Sequence, residues 1–441
     1  MNKRFFIVSF SLFVCLASCS FAQADTSAVY QPSPDNIRSR QQFQGMKLGI
    51  FLHWGIYSSY AQAEWFLYGK ALDPHEYAKA ARGFYPIRFD ADEWVRAFKD
   101  AGARYVTITA RHHDGFSMFQ SRQSAYNIVD ATPFHRDVIK EMSQACQRQG
   151  MRLHLYYSLL DWTRDDYPPG SCGKRLRRTG KGDYNSYFAF MKSQLTELLT
   201  QYGPIGAIWF DGVWDHDSDA TPFDWQLRPQ YDLIHRLQPS CLVANNHHLV
   251  PFDGEDVQIF ERDLPGENKA GYSGENGVSK TLPLESCETM NRTWGYNITD
   301  SLYKTPKEII HLLVGAAGRN ANLLLNIGPE PNGELPAEAV SRLKAVGEWM
   351  GQYGETIYGT RGGEVEPHPW GVTTRKDNRL FVHILDLQDS GLFLPLKNNK
   401  VKRACEFVSR KAVKFTRVDG GIVLQLGQKP SDIDYVVELQ F

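Results

Sequence analysis

The sequence predicts an α/β fold: a (β/α)8 TIM-like barrel followed by a C-terminal antiparallel β-sandwich. Three observations predict it. Apolar, strand-like runs alternate with helical periodicity from Met46 to about Tyr358, and eight such strands can be counted, the pattern of a parallel barrel with helical crossovers. From about Gly362 the helical period stops, and short alternating runs (Leu380 to Leu385, Gly391 to Leu394, Val413 to Val418, Gly421 to Leu426, Tyr435 to Leu439) replace it. At 441 residues the chain exceeds what one core usually serves, so a barrel and a smaller domain fit its length. The expected division is 1–24 signal peptide, 25–42 lead-in, 43–360 barrel and 361–441 sandwich.

Asn2-Lys3-Arg4, the apolar run Phe5 to Leu16 and the small-residue site Ala22-Gln23-Ala24 read as a secretory signal. That run is too short for a permanent membrane span. Export to the periplasm or the exterior is therefore expected. Leu16-Ala17-Ser18-Cys19 is a competing lipoprotein box, which would anchor the chain through Cys19. Gln31 to Gln42 is polar with two prolines and reads as a lead-in rather than an element.

The first strand, Met46 to Trp54, ends in His53-Trp54-Gly55, and its loop carries Glu64 and Trp65. Asp90 to Glu93 opens a helix in capping-box style that runs to about Ala101. The second strand, Ala103 to Ala110, delivers Arg111-His112-His113-Asp114. Asp137 to Gln149 is an amphipathic helix with Gly150 at its C-terminal cap. Leu153 to Ser158 is the third strand, and a polar insertion, Asp165 to Asp183, precedes the helix Tyr187 to Leu199. The fourth strand, Ala207 to Phe210, is apolar enough to be buried on both faces. Asp211 falls at its carboxyl end, and Gly212 lets the backbone turn away. Cys241 to Asn245, Asp256 to Phe260, Leu282 to Thr289 and Asn322 to Ile327 complete the set, with a helix from Thr305-Pro306 to about Ala317 before the last.

A formal charge of −1 offers no basic excess to hold a polyanion, so nucleic acid is an unexpected partner. Aromatic residues make up 13%, including 10 Trp, which leans towards carbohydrate because sugar C–H faces stack on rings. Beyond the signal the cysteines are Cys146, Cys172, Cys241, Cys287 and Cys405, widely spaced and without a C-x-x-C pair. They read as free, packed thiols rather than a disulfide framework.

In a parallel barrel the residues after each strand converge on one face. Here that gathers His53, His112, His113, Tyr156, Asp211, Arg262, Glu285 and Glu288, with Glu64, Trp65 and Trp294 from loops. Each has a simpler reading alone: a packed histidine, a core tryptophan, a surface pair of Arg262 with Glu261 or Asp263. Together they favour a polar, aromatic sugar pocket. The three histidines also invite a zinc reading, but neither H-x-H nor H-E-x-x-H spacing supports it, and no metal or cofactor is expected. Two carboxylates on different strands of one face suggest glycoside hydrolysis. One, ionised, attacks the anomeric carbon; the other, with a raised pKa, protonates the leaving oxygen. The short, rigidly placed Asp211 suits the nucleophile. Glu285 and Glu288 have opposite parity on a strand, so only one should face the pocket.

His53-Trp54-Gly55, Glu64-Trp65, Arg111 to Phe116, Trp209-Phe210-Asp211-Gly212 and Asn322 to Pro329 resemble the alpha-L-fucosidases of glycoside hydrolase family 29, over roughly Phe43 to Tyr358. The resemblance implies an exo-acting, retaining hydrolase of terminal alpha-L-fucose on glycans, with Asp211 as nucleophile. It implies that His53, Glu64, Trp65, His112, His113, Tyr156 and Arg262 hold the fucose. Glu285, which precedes Trp294-Gly295-Tyr296, is the favoured acid/base, with Glu288 the alternative. Competing readings are a retaining glycosidase for a related sugar such as L-galactose, and a catalytically silent sugar-binding protein.

Overall fold

A computed structural model describes residues 29–272, 277–386, 389–397, 400–426 and 433–441. The signal segment 1–24, with Cys19, lies outside them. Eight parallel strands form the first sheet: β1 Leu48–Leu52, β2 Tyr105–Arg111, β3 Arg152–Ser158, β4 Ala207–Asp211, β5 Leu242–Asn246, β6 Gln258–Glu261, β7 Leu284–Thr289 and β8 Ala321–Ile327. Their order is β5-β4-β3-β2-β1-β8-β7-β6. The seam between β5 and β6 carries one bridge, Ala244 to Val257. Asp256 reinforces that seam: its N–H donates to the Val243 carbonyl and its carboxylate accepts from the Val243 N–H, both at 2.7 Å. All eight expected strands are present, with ends shifted by a few residues.

The helices start where side-chain oxygens satisfy free N–H groups. Asp90 caps Ala91–Asp100, Asp137 caps Val138–Gln149, and Thr305 with Glu308 forms a capping box on Pro306–Gly318. Gly150 ends the second of these at φ +71°, the left-handed conformation that a side chain would disfavour.

One expectation fails here. The stretch read as a lead-in forms a helix, Pro34–Met46, capped by Ser33. It has almost no amphipathic stripe, because its stabilising contacts are a few specific ones across the barrel floor. Phe43 is buried among Tyr105 and His154, and Asn322 Nδ2 donates to the Phe43 carbonyl at 2.7 Å. Arg40 pairs with Asp256, buried behind the β5–β6 seam.

Beyond the barrel lie β9 Arg361–Gly362, β10 Gly371–Lys376, β11 Arg379–Ile384, β12 Gly391–Pro395, β13 Arg403–Glu406, β14 Lys414–Val418, β15 Gly421–Gln425 and β16 Tyr435–Gln440. They form antiparallel sheets ordered β13-β16-β11-β10-β9 and β12-β15-β14. Leu380, Val382, Leu394, Ile422, Leu424 and Val437 share the core between them. The sandwich is seated closely on the barrel: a Cβ at Gly362 would lie 2.0 Å from the Gly318 carbonyl oxygen. The five cysteines read as thiols are buried and free.

The end of β2 matters most for the site. Its register with β3 shifts between Thr109 and Arg111, the kind of irregularity that re-aims side chains at a barrel rim. Arg111 is fully buried behind the rim, donating to Asp161 at 2.6 Å, Tyr187 Oη at 2.5 Å and the Ser158 carbonyl at 2.9 Å. Removing its counter-charge would strand a cation in the core, so Asp161→Ala is expected to cost about 3–5 kcal/mol. The check is a denaturant melt, in which Asp161→Asn, equally without the counter-charge, should lose nearly as much.

Candidate active site

A cavity of about 530 Å³ opens among the carboxyl ends of the strands. Asp211, the last residue of β4, reaches into it, and Gly212 at φ +106° turns the chain away directly afterwards. Tyr156 Oη donates to Asp211 Oδ2 at 2.8 Å, and Trp214 Nε1 approaches Oδ1 at 3.4 Å. The Tyr156 ring is held between His112 and Trp209, with centroids 5.3 and 5.5 Å away and planes within 26°. Burial, then the charge of Glu261, pushes the Asp211 carboxyl up to about 6, against the opposing hydrogen bond from Tyr156.

Burial keeps His53, His112 and His113 neutral, and hydrogen-bond partners fix the tautomers of His53 and His113. Asn326 Nδ2 donates to the Trp294 carbonyl at 2.7 Å, so its Oδ1 must accept from His53 Nδ1, also at 2.7 Å. His53 Nε2 is thereby an acceptor. Ser158 Oγ donates to the Leu160 carbonyl at 2.6 Å and so accepts from His113 Nδ1 at 2.8 Å. His113 Nε2, 3.6 Å from Asp211 Oδ2, is then also an acceptor. Burial lowers the His53 pKa to about 4 and that of His113 to about 3, so the latter contact is no ion pair. Burial likewise pushes His112 well down.

The loop after β1 supplies a wall. Glu64 Oε2 accepts the Gly295 N–H at 2.6 Å, and the Ala63 N–H donates to the Tyr296 carbonyl, tying this loop to the segment around Trp294. Burial raises the Glu64 pKa, partly offset by the Gly295 bond. Trp65 contacts His113, Trp162 and Trp214 with ring centroids 5.2–5.6 Å away. Behind it, the insertion 165–183 folds back rather than standing free. Asp215 accepts from Tyr167 Oη, the Cys172 N–H and Ser171 Oγ at 2.7–3.0 Å, and Arg175 donates to the Tyr68 carbonyl.

Opposite, β6 ends in Glu261, followed by Arg262, and both line the cavity. Glu261 Oε2 accepts from Asn246 Nδ2 at 2.7 Å and His248 Nε2 at 3.0 Å. Burial acts to raise the Glu261 pKa, but the hydrogen bond and charge of His248 outweigh it and hold the carboxyl below its usual range. Arg262 adopts φ +57° and places its guanidinium 5.1 Å from the centroid of the Trp294 ring, with Nη2 donating to the Arg292 carbonyl.

The model of the Alpha-L-fucosidase family matches residues 17–355 of the chain. The chain belongs to this family. The tissue alpha-L-fucosidase of Mus musculus is 30% identical over 76% of this chain and 73% of its own. The alpha-L-fucosidase isoenzyme 1 of Paenibacillus thiaminolyticus is 32% identical, with a TM-score of 0.81 over 92% of this chain and 99% of that one. A Bacteroides thetaiotaomicron alpha-L-fucosidase of glycoside hydrolase family 29, solved as a trapped covalent intermediate, is 25% identical, with a TM-score of 0.79 over 94% and 98%.

Of the residues expected at the family's site, the structure brings together His53, Glu64, Trp65, His112, His113, Tyr156, Asp211, Arg262 and Trp294. It does not bring Glu285 or Glu288, and their expected placement is corrected. Glu285 does face the barrel interior, as parity required, but one layer too deep. Its Oε2 accepts from Tyr105 Oη at 2.5 Å and its Oε1 from Trp209 Nε1 at 3.0 Å. The lining residue of β7 is Cys287, two positions on, which lies level with Glu261. Glu288 faces away from the interior, with Oε1 on the Thr289 N–H and 3.4 Å from Lys304 Nζ.

Glu261, Asn246, His248, Trp214 and Tyr272 are lining residues that sequence reasoning missed. The rule that selected Asp211, a carboxylate ending an apolar strand, applied equally to Glu261, which was read only as a surface partner of Arg262. Burial pushes Glu285 up to about 7. Its ionisation therefore opposes folding increasingly as pH rises from the ordinary carboxylate range to about 7. Glu285→Gln is expected to change kcat less than tenfold while removing that part of the pH dependence of the Tm, as melting curves between pH 4 and 8 would show.

Proposed function

We propose that the chain is a retaining exo-alpha-L-fucosidase acting on terminal alpha-L-fucose of glycans. One observation carries the reading: Asp211, held rigidly on a strand end, shares a cavity of sugar size with a second carboxylate, Glu261, between imidazole and tryptophan walls. Asp211 attacks the anomeric carbon as the leaving oxygen is protonated by Glu261, and Glu261 then draws a proton from the water that releases fucose. Tyr156 aims the attacking carboxylate. The acceptor nitrogens of His53 and His113, with His112, Glu64 and Arg262, meet the sugar hydroxyls. Trp65 and Trp294 pack on its apolar surfaces. The covalent intermediate trapped in the Bacteroides relative supports a glycosyl-enzyme route.

No helix among the described residues is long and apolar enough to cross a membrane. The basic start, apolar run and Ala22-Gln23-Ala24 support export as part of the proposal, with Cys19 lipidation as its variant. The test is incubation with an aryl alpha-L-fucoside and an aryl alpha-L-galactoside, following the first-formed anomer by NMR. Faster release from the fucoside with alpha-L-fucose appearing first is expected. Preference for the galactoside would reassign the sugar, beta-fucose first would refute retention, and binding of fucose without turnover of either would leave a lectin-like protein.

A further inference from the structure

His248 has no part in the scheme above. It lies two residues beyond β5 with φ +61°, the left-handed region that is uncommon for a non-glycine residue. That twist sets Nε2 3.0 Å from Glu261 Oε2, the oxygen that Asn246 also reaches. The ring stacks on Tyr272, with centroids 5.0 Å apart and planes 14° apart, and Tyr272 lines the cavity while remaining 46% exposed.

Resting on Glu261 as the acid/base, we propose that His248 is a positioning residue that stores the acid/base's proton. The pair shares one proton between Nε2 and Oε2, carried by His248 in the empty site and by Glu261 once a fucoside fills it. In the empty site, the anions facing the imidazole are Glu261, Asp211 and Asp217, and Arg262 adds its charge beside Glu261, so an imidazolium–carboxylate pair is favoured. Bound sugar expels water from around both charges, and loss of that solvation favours the neutral pair. The proton passes from Nε2 to Oε2. Glu261 then gives it to the glycosidic oxygen as the C1–O bond breaks and the Asp211–C1 bond forms. In the second half, Glu261 takes a proton from the water whose oxygen displaces Asp211 from C1. When fucose leaves, that proton returns to Nε2.

The proton requirement of the free enzyme then belongs to the pair rather than to a lone carboxylate. His248→Asn tests this, because asparagine tolerates the left-handed backbone. Its kcat/KM should be followed against pH with aryl alpha-L-fucosides of poor and good leaving groups. The alkaline limb is expected to fall by at least about one pH unit, with about a 10–100-fold loss near pH 7 for the poor leaving group and under about threefold for the good one. An unmoved limb, or equal losses on both substrates, would overturn the proposal and leave His248 a structural residue. Glu261→Ala, run in parallel with azide, separates the two claims. Azide rescue alongside an unmoved His248→Asn limb rejects only the proton store, whereas failed rescue rejects the acid/base assignment beneath it.

Discussion

Asp211→Ala is expected to lower kcat on an aryl alpha-L-fucoside by about 10⁴-fold or more, because it removes the proposed nucleophile. Tyr156 and Trp214 both aim at this carboxylate. Azide should enter the vacated position and restore turnover with a beta-fucosyl azide as product. The inverted anomer would establish which face Asp211 occupies. The same carboxylate burdens the fold. Its pKa is raised to about 6 by burial, so its ionisation opposes folding progressively as pH rises towards that value. Asp211→Asn is therefore expected to raise the Tm at pH 7–8, and the gain should vanish below about pH 4. A Tm gain without activity would show that the loss is chemical rather than structural.

Glu261→Ala is expected to cost about 10²–10⁴-fold in kcat/KM for substrates with poor leaving groups and far less for good ones, since only the former need protonation. Azide should rescue it to the alpha-fucosyl azide, the retained anomer, which distinguishes this role from that of Asp211. A second readout is electrostatic. The wild-type acid limb of kcat/KM is expected near pH 6, where Asp211 must lose its proton to attack. The Glu261 charge helps hold that value up, so Glu261→Gln should move the limb to lower pH. A limb that stays put or rises would separate the two carboxylates and undo the shared-site reading.

How far the sequence was legible can be judged at particular positions. Asp211 was visible because the signals agreed: an apolar run long enough for one central strand, then a carboxylate and a glycine. The histidines after β1 and β2 were visible for the same reason. Glu285 misled because strand parity tells which side a residue faces but not how deep it sits. The depth follows from the stagger of β7 against β8 and β6, where Glu285 is level with Asn322 and Ile259 and only Cys287 reaches the level of Glu261. The helix Pro34–Met46 was illegible because a polar segment acquires its reason to be helical from the barrel floor it closes.

The sequence by itself determined the alternation of strands and helices, the switch to antiparallel β-structure near residue 361 and most of the groups that meet at the cavity. These are local matters of period, capping and strand ends, written within a dozen residues of each other. Only the tertiary structure decided which carboxylates share the cavity with Asp211, which nitrogens of His53 and His113 are left as acceptors, and that His248 and Asn246 converge on one oxygen of Glu261. Those facts depend on barrel stagger and on partners tens to hundreds of residues away, and no local pattern encodes a distance between strands.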